Sequence, residues 1–150
     1  MINYARRVKA SVKKHGFHAT YVAAESMPSF CYSTGLCETY AIPELFISSL
    51  PPGLSQELIQ HYVKRFDGAE IRPNELLKKK KEPFDYYLIV CDPRKIKKYA
   101  LATTKYYGDR KVEFLQLVFP DTAGYFPHHK RYDYDQEILG TFTPKKSRTP

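Results

Sequence analysis

Pro28–Ile47, PSFCYSTGLCETYAIPELFI, is the stretch on which the fold turns. Ser26, Pro28 and Ser29 bend the chain, and Phe30–Thr34 reads as a strand that Gly35 ends. A further strand is predicted over Glu44–Ser49, opened by Pro43 and closed by Pro51-Pro52-Gly53. Upstream, Phe17–Ala24 alternates loosely with β-branched residues and reads as a strand of its own. Three strands thus follow one another through short links.

Outward from this centre the pattern changes to helices. Residues 2–14 place Ala5, Val8 and Val12 on one helical face, with Lys13 and Lys14 in the last turn and Gly16 as a left-handed stop. Ser55 is the expected cap of a second helix, with Leu54 and Ile59 at the positions of a hydrophobic staple. Its apolar stripe is Leu58, Ile59, Tyr62, Val63 and Phe66. Residues 69–83 read as a loop, and Tyr86–Cys91 as a strand covered on both faces. Asp92-Pro93 opens a third helix with Ile96, Tyr99, Ala100, Thr103 and Tyr107 inward, and Glu113–Phe119 is the last strand. Strands joined first by short links and then by helices predict a single α+β domain over residues 1–140. Its sheet is mixed and largely antiparallel, with about five strands and about three helices packed on it. Residues 141–150, ending in TPKKSRTP, read as a flexible tail.

Composition narrows the class. A hydrophobic fraction of 43% and an aromatic fraction of 15% in 150 residues suffice for a real core and exclude a disordered chain. No apolar run reaches the roughly 20 residues that cross a bilayer, and the basic start lacks the apolar middle of a secretion signal. Three cysteines, Cys31, Cys37 and Cys91, are an odd number in apolar surroundings, which favours reduced thiols in a cytoplasmic protein. The net charge of +8 is uneven. Residues 1–70 carry seven Lys/Arg against six Asp/Glu, and residues 71–150 carry seventeen against ten. A polyanion, an acidic protein surface or a phosphorylated ligand is therefore expected to be attracted to the second half.

Several short pieces, in order, resemble one known family. They are His15-Gly16-Phe17-His18; Pro28 to Leu36 followed by Pro43-Glu44-Leu45; Leu50-Pro51-Pro52; and Gln116 to Asp121 with Gly124 and Phe126-Pro127. Gln136 and Leu139-Gly140 close the series. The order is similar to that of the bacterial "domain of unknown function 4262" family, over about residues 12–140. The family's histidine before Pro-Glu is Ile42 here, and Phe17, Phe119 and His128 stand at its tryptophan positions. The resemblance implies a bacterial cytoplasmic domain and brings no settled activity or cofactor with it.

The chemistry-bearing residues allow competing readings. His15, Tyr32, Thr34, Glu44, Gln116 and Asp121 are the candidate lining of a small-molecule pocket, in a binding domain or a hydrolase-like enzyme. Asp121 is equally placed to cap the Pro120–Gly124 turn, and the Tyr32-Ser33-Thr34 hydroxyls to satisfy a strand end. His15, His18, His128 and His129 make a metal site only if three or four ligands converge, which their spacing does not require. No nucleophile elbow, zinc-binding helix or phosphate-cradling glycine loop is present, and no catalytic residue, metal or cofactor is assigned. Lys78, Lys79, Lys80 and Lys81 with Arg94, Lys95, Lys97 and Lys98 put eight cations within twenty-one residues. They are the candidate partner-binding face of a non-catalytic interaction protein, of immunity or accessory type. Nucleic acid is a weaker alternative that would stack on Tyr86, Tyr87, Tyr99, Tyr106 and Tyr107.

Overall fold

The structure, a computed structural model, describes residues 3–145. Its order is α1 (Tyr4–His15), β1 (His18–Val22), β2 (Phe30–Thr34), α2 (Leu36–Tyr40) and β3 (Glu44–Ser48). There follow α3 (Pro52–Phe66), β4 (Tyr87–Val90), α4 (Pro93–Tyr99), α5 (Leu101–Tyr107) and β5 (Phe114–Val118). The five strands form one sheet in the order β1-β2-β3-β5-β4. All pairs are antiparallel except β3 with β5, which run parallel with Phe46 opposite Gln116. The mixed, largely antiparallel sheet expected from the sequence is present, within a single compact α+β domain.

Five helices form among the described residues, rather than about three. α2 is a single turn too short to show apolar periodicity. The helix expected across Pro93–Tyr107 divides at Ala100, whose φ of −87° and ψ of 60° leave the helical region. α3 starts three residues before its expected cap. Pro52 occupies the first helical position, and Ser55 lies inside the helix with its hydroxyl directed at the Leu50 carbonyl. Leu54 and Ile59 are therefore both inside the helix, and the expected staple does not form. α1 ends as expected, with Gly16 at φ 91°.

The pleat sorts the core into two sides. Leu45 and Ile47 of β3, with Leu115 and Leu117 of β5, pack under Leu58 and Ile59 of α3. Phe46, Phe30 and Phe114 face the other way, against Ile96 of α4 and Ala100 just after it. Farther along that second side, Tyr87, Ile89 and Val118 are covered by Phe126, Ile138 and Phe142. The expected tail thus begins within packed structure, where Thr143 and Lys145 donate backbone N–H groups to Asn74. Residues 146–150 of that tail lie outside the described residues. No helix among the described residues is long and apolar enough to cross a membrane.

Candidate functional site

Glu44 opens β3 and is fully buried. Its carboxylate accepts from the Ser33 hydroxyl at 2.7 Å and from the backbone N–H groups of Gly35, Leu36 and Cys37 at 3.1–3.2 Å. The Tyr107 hydroxyl donates a fifth, short bond. Gly35–Cys37 form the start of α2, whose first N–H groups have no partner within the helix. Glu44 is thus a cap supplied from seven to nine residues downstream. Burial first, and then the Glu44 charge, push the Tyr107 hydroxyl pKa far up, so it remains a donor.

Tyr32 and Thr34 meet α5, the helix that carries Tyr107. The Tyr32 hydroxyl accepts from Ala102 N–H at 3.0 Å, and Thr34 shares a 2.8 Å hydroxyl contact with Thr103. Thr103 also donates to the Ser33 carbonyl. Three of the six candidate pocket residues, Tyr32, Thr34 and Glu44, are therefore gathered against α5. They hold it to the sheet with groups already engaged.

The other three lie elsewhere. Gln116 bridges the last segment, donating to the Glu137 carbonyl at 2.6 Å and accepting from Leu139 N–H at 2.8 Å. Asp121 accepts from the N–H groups of Ala123, Tyr125 and Asp133. Desolvation raises its pKa, but these backbone bonds outweigh it and hold the carboxyl below its ordinary range. His15 is exposed at the end of α1. His18 accepts or donates toward Tyr4 at 2.7 Å, and burial, then Arg7, lower its pKa. No group of three His, Cys, Asp or Glu side chains able to hold a metal ion occurs among the described residues. The cysteines are free thiols. Burial pushes Cys31 up to about 12 and Cys91 higher still, away from the thiolate that nucleophilic chemistry requires.

The cations separate into two groups. Arg94, Lys95, Lys97 and Lys98 are exposed on α4, and none forms an ion pair among the described residues. Lys80 and Lys81 instead border α3, on the opposite side of the sheet, while Lys78 pairs with Asp85 at 3.5 Å and Lys79 donates its N–H to the same carboxylate. Of the five tyrosines, Tyr86, Tyr87 and Tyr107 are buried. Tyr99 and Tyr106 are half-buried, donating to Glu137 and Glu38.

An arrangement that the sequence reading missed lies beside Lys80. Glu82 is buried and accepts from Arg65 at 3.2 Å, from the Tyr86 hydroxyl at 2.8 Å, and from Lys80 and Lys81 N–H. The one available signal was an acid directly after four lysines. Burial raises the Glu82 pKa, but bonds from the Lys80 and Glu82 backbone, Tyr86 and Arg65 bring it from an ordinary 4.5 to about 2. A depressed folded-state value adds stability above the unfolded value that is lost as pH falls through the folded one. Acid unfolding is therefore expected to draw on Glu82 between pH 4.5 and about 2. Denaturant titrations of Glu82→Gln should show a shallower pH dependence across that window, and an unchanged slope would refute the assignment.

No curated protein and no solved structure matches this chain. The sequence profile of one family, described as "Domain of unknown function (DUF4262)", matches residues 11–133. That span holds β1 to β5, the Glu44 cradle and the Asp121 turn, so the chain belongs to the DUF4262 family.

Proposed function

We propose that the protein is a non-catalytic binding protein of the bacterial cytoplasm, of immunity or accessory type, that docks through α4 onto an acidic surface of another protein. The observation that carries this reading is the α4 face. Four exposed cations flank the buried anchor Ile96, none of them forms an ion pair among the described residues, and Asp92 at the helix cap is the one acid beside them on α4. Such a face steers association with an acidic surface and loses strength as salt rises. The hydroxyls and carboxylates of the family motifs favour the same reading, because Tyr32, Thr34, Glu44, Gln116 and Asp121 are occupied by internal hydrogen bonds. A motif-built pocket for catalysis or a small ligand would need them unengaged. Nucleic acid is disfavoured by the burial of Tyr86, Tyr87 and Tyr107, which removes stacking platforms.

The test is fluorescence anisotropy with a poly-glutamate peptide and with duplex DNA at several salt concentrations. Neutralising Lys95, Lys97 and Lys98 together to glutamine should weaken poly-glutamate binding about tenfold, at roughly 0.5 kcal/mol for each exposed charge pair. Undiminished binding by that variant removes the α4 reading. Tighter binding to DNA, with a steeper salt slope, would favour the nucleic-acid alternative.

A further inference from the structure

His61, Lys64 and Arg65 stand three and four residues apart and so share one stripe of α3. The Lys80–Glu82 turn faces that stripe, and between them lies a cavity of about 300 Å³ lined by these six residues. Glu82 turns the apparent run of lysines into a built wall. It binds the Lys80 and Lys81 N–H groups and clamps Arg65 through Nη1, while the guanidinium lies 5.6 Å from the Tyr86 ring centre. The Arg65 side chain is only 14% exposed, so its orientation is held by packing as well as by charge.

The hydrogen-bond inventory of this wall is one-sided. Nε and Nη2 of Arg65 have no protein acceptor among the described residues, and Lys64, Lys80 and Lys81 have no ion-pair partner among them. His61 Nδ1 is buried and makes no hydrogen bond. Whether as donor or as acceptor that nitrogen is unsatisfied, and its burial keeps it off the accessible surface of the cavity. Of the side-chain acceptors in the lining, Glu82 is already occupied by Arg65, Tyr86 and two backbone N–H groups, and His61 Nδ1 is closed off from solvent. The cavity therefore presents donors and positive charge to whatever enters it.

We propose that this cavity binds the phosphoryl group of a small molecule. A tetrahedral dianion offers acceptors on every side and takes up the Arg65 fork and the lysine charges together. A nucleic-acid strand needs a continuous basic track for successive phosphates, and the α4 cations lie across the sheet from this cavity. The site shares no residue with the α4 face, so either assignment can fail without the other.

Inorganic phosphate and glycerol phosphate, titrated into the full-length protein and followed by amide NMR shifts, test the proposal. Saturable shifts are expected at His61, Lys64, Arg65 and the 80–82 turn for both probes at millimolar concentration. Lys80→Gln with Lys81→Gln should weaken both about tenfold or more, since charge-assisted bonds are lost. The fold should survive, because those side chains are exposed and the Glu82 bonds use backbone N–H groups. The α4 triple variant should bind both probes as the unaltered protein does. Linear, non-saturating shifts with both probes would overturn the proposal. So would an equal loss in the α4 variant, which would mark the effect as general charge attraction.

Discussion

Glu44→Ala is expected to destabilise the domain by about 3–5 kcal/mol, a large part of the roughly 5–15 kcal/mol that holds a domain of this size together. The loss has a specific origin. The Ser33 hydroxyl, the Tyr107 hydroxyl and the N–H groups of Gly35, Leu36 and Cys37 all end on this one carboxylate. Removing it leaves five donors around a space closed to water, and each buried donor without a partner costs about 1–3 kcal/mol before the structure relaxes. Tyr107→Phe deletes only one of the five, together with the acceptor of the Glu38 N–H, and should cost about 1.5–3 kcal/mol. Urea unfolding of the two variants gives the comparison. A loss below about 1 kcal/mol for Glu44→Ala would mean that water or a rearranged α2 replaces the carboxylate.

Gly35→Ala is the second large effect, at about 2–5 kcal/mol, from left-handed strain of about 1–2 kcal/mol plus overpacking of about 1–3 kcal/mol. Gly35 has φ 106°, a conformation that side-chain-bearing residues rarely adopt. An added methyl would stand 2.8 Å and 2.9 Å from the two Val12 methyls and 3.1 Å from the Gly16 carbonyl. α1 is buried through Val8 and Val12, so Val12 has little room to withdraw. Gly124→Ala separates the two contributions, because Gly124 has φ 92° but open space around its missing Cβ. Thermal unfolding should place Gly35→Ala clearly below Gly124→Ala. Equal midpoints would show that α1 yields to the methyl at no cost.

These two residues mark where sequence reading stops. Phe30–Thr34 and Glu44–Ser48 were legible because β-branched and aromatic residues lay between turn formers. The helix between them was not, since its cap comes from a carboxylate beyond the helix rather than from a residue just before it. Ser55 misled for the converse reason. It is a good capping residue in the abstract, but Pro51-Pro52 had already set the helical start. The break at Ala100 carried neither Gly nor Pro, so the stripe from Ile96 to Tyr107 read as continuous.

For the candidate site, Tyr32, Thr34, Glu44, Gln116 and Asp121 carry buried polar bonds while His15 is exposed, and spacing could not distinguish an engaged group from a free one. Tyr32 and Ala102 are seventy positions apart, as are Ser33 and Thr103. The eight cations looked contiguous along the chain because β4, which carries it from the α3 side to the α4 side of the sheet, lies between them. The cavity at Lys80 was hidden for a related reason. Half of its lining comes from α3, read only as a core helix, whose outer stripe of His61, Lys64 and Arg65 meets the lysine turn through Glu82.

The place of β5 also constrains how the protein is made. It is the last strand among the described residues yet sits inside the sheet, between β3 and β4. A nascent chain that has emerged only as far as α5 therefore offers β3 and β4 as two unjoined edges, each open to pairing with another chain. Emergence of Val118 completes the ladder but leaves Tyr87, Ile89 and Val118 bare until Phe126, Ile138 and Phe142 follow. Synthesis from the N-terminus thus delays closure of the sheet to a late stage, and a chain that has emerged only to a point between residues 118 and 142 would carry all five strands and an uncovered apolar face.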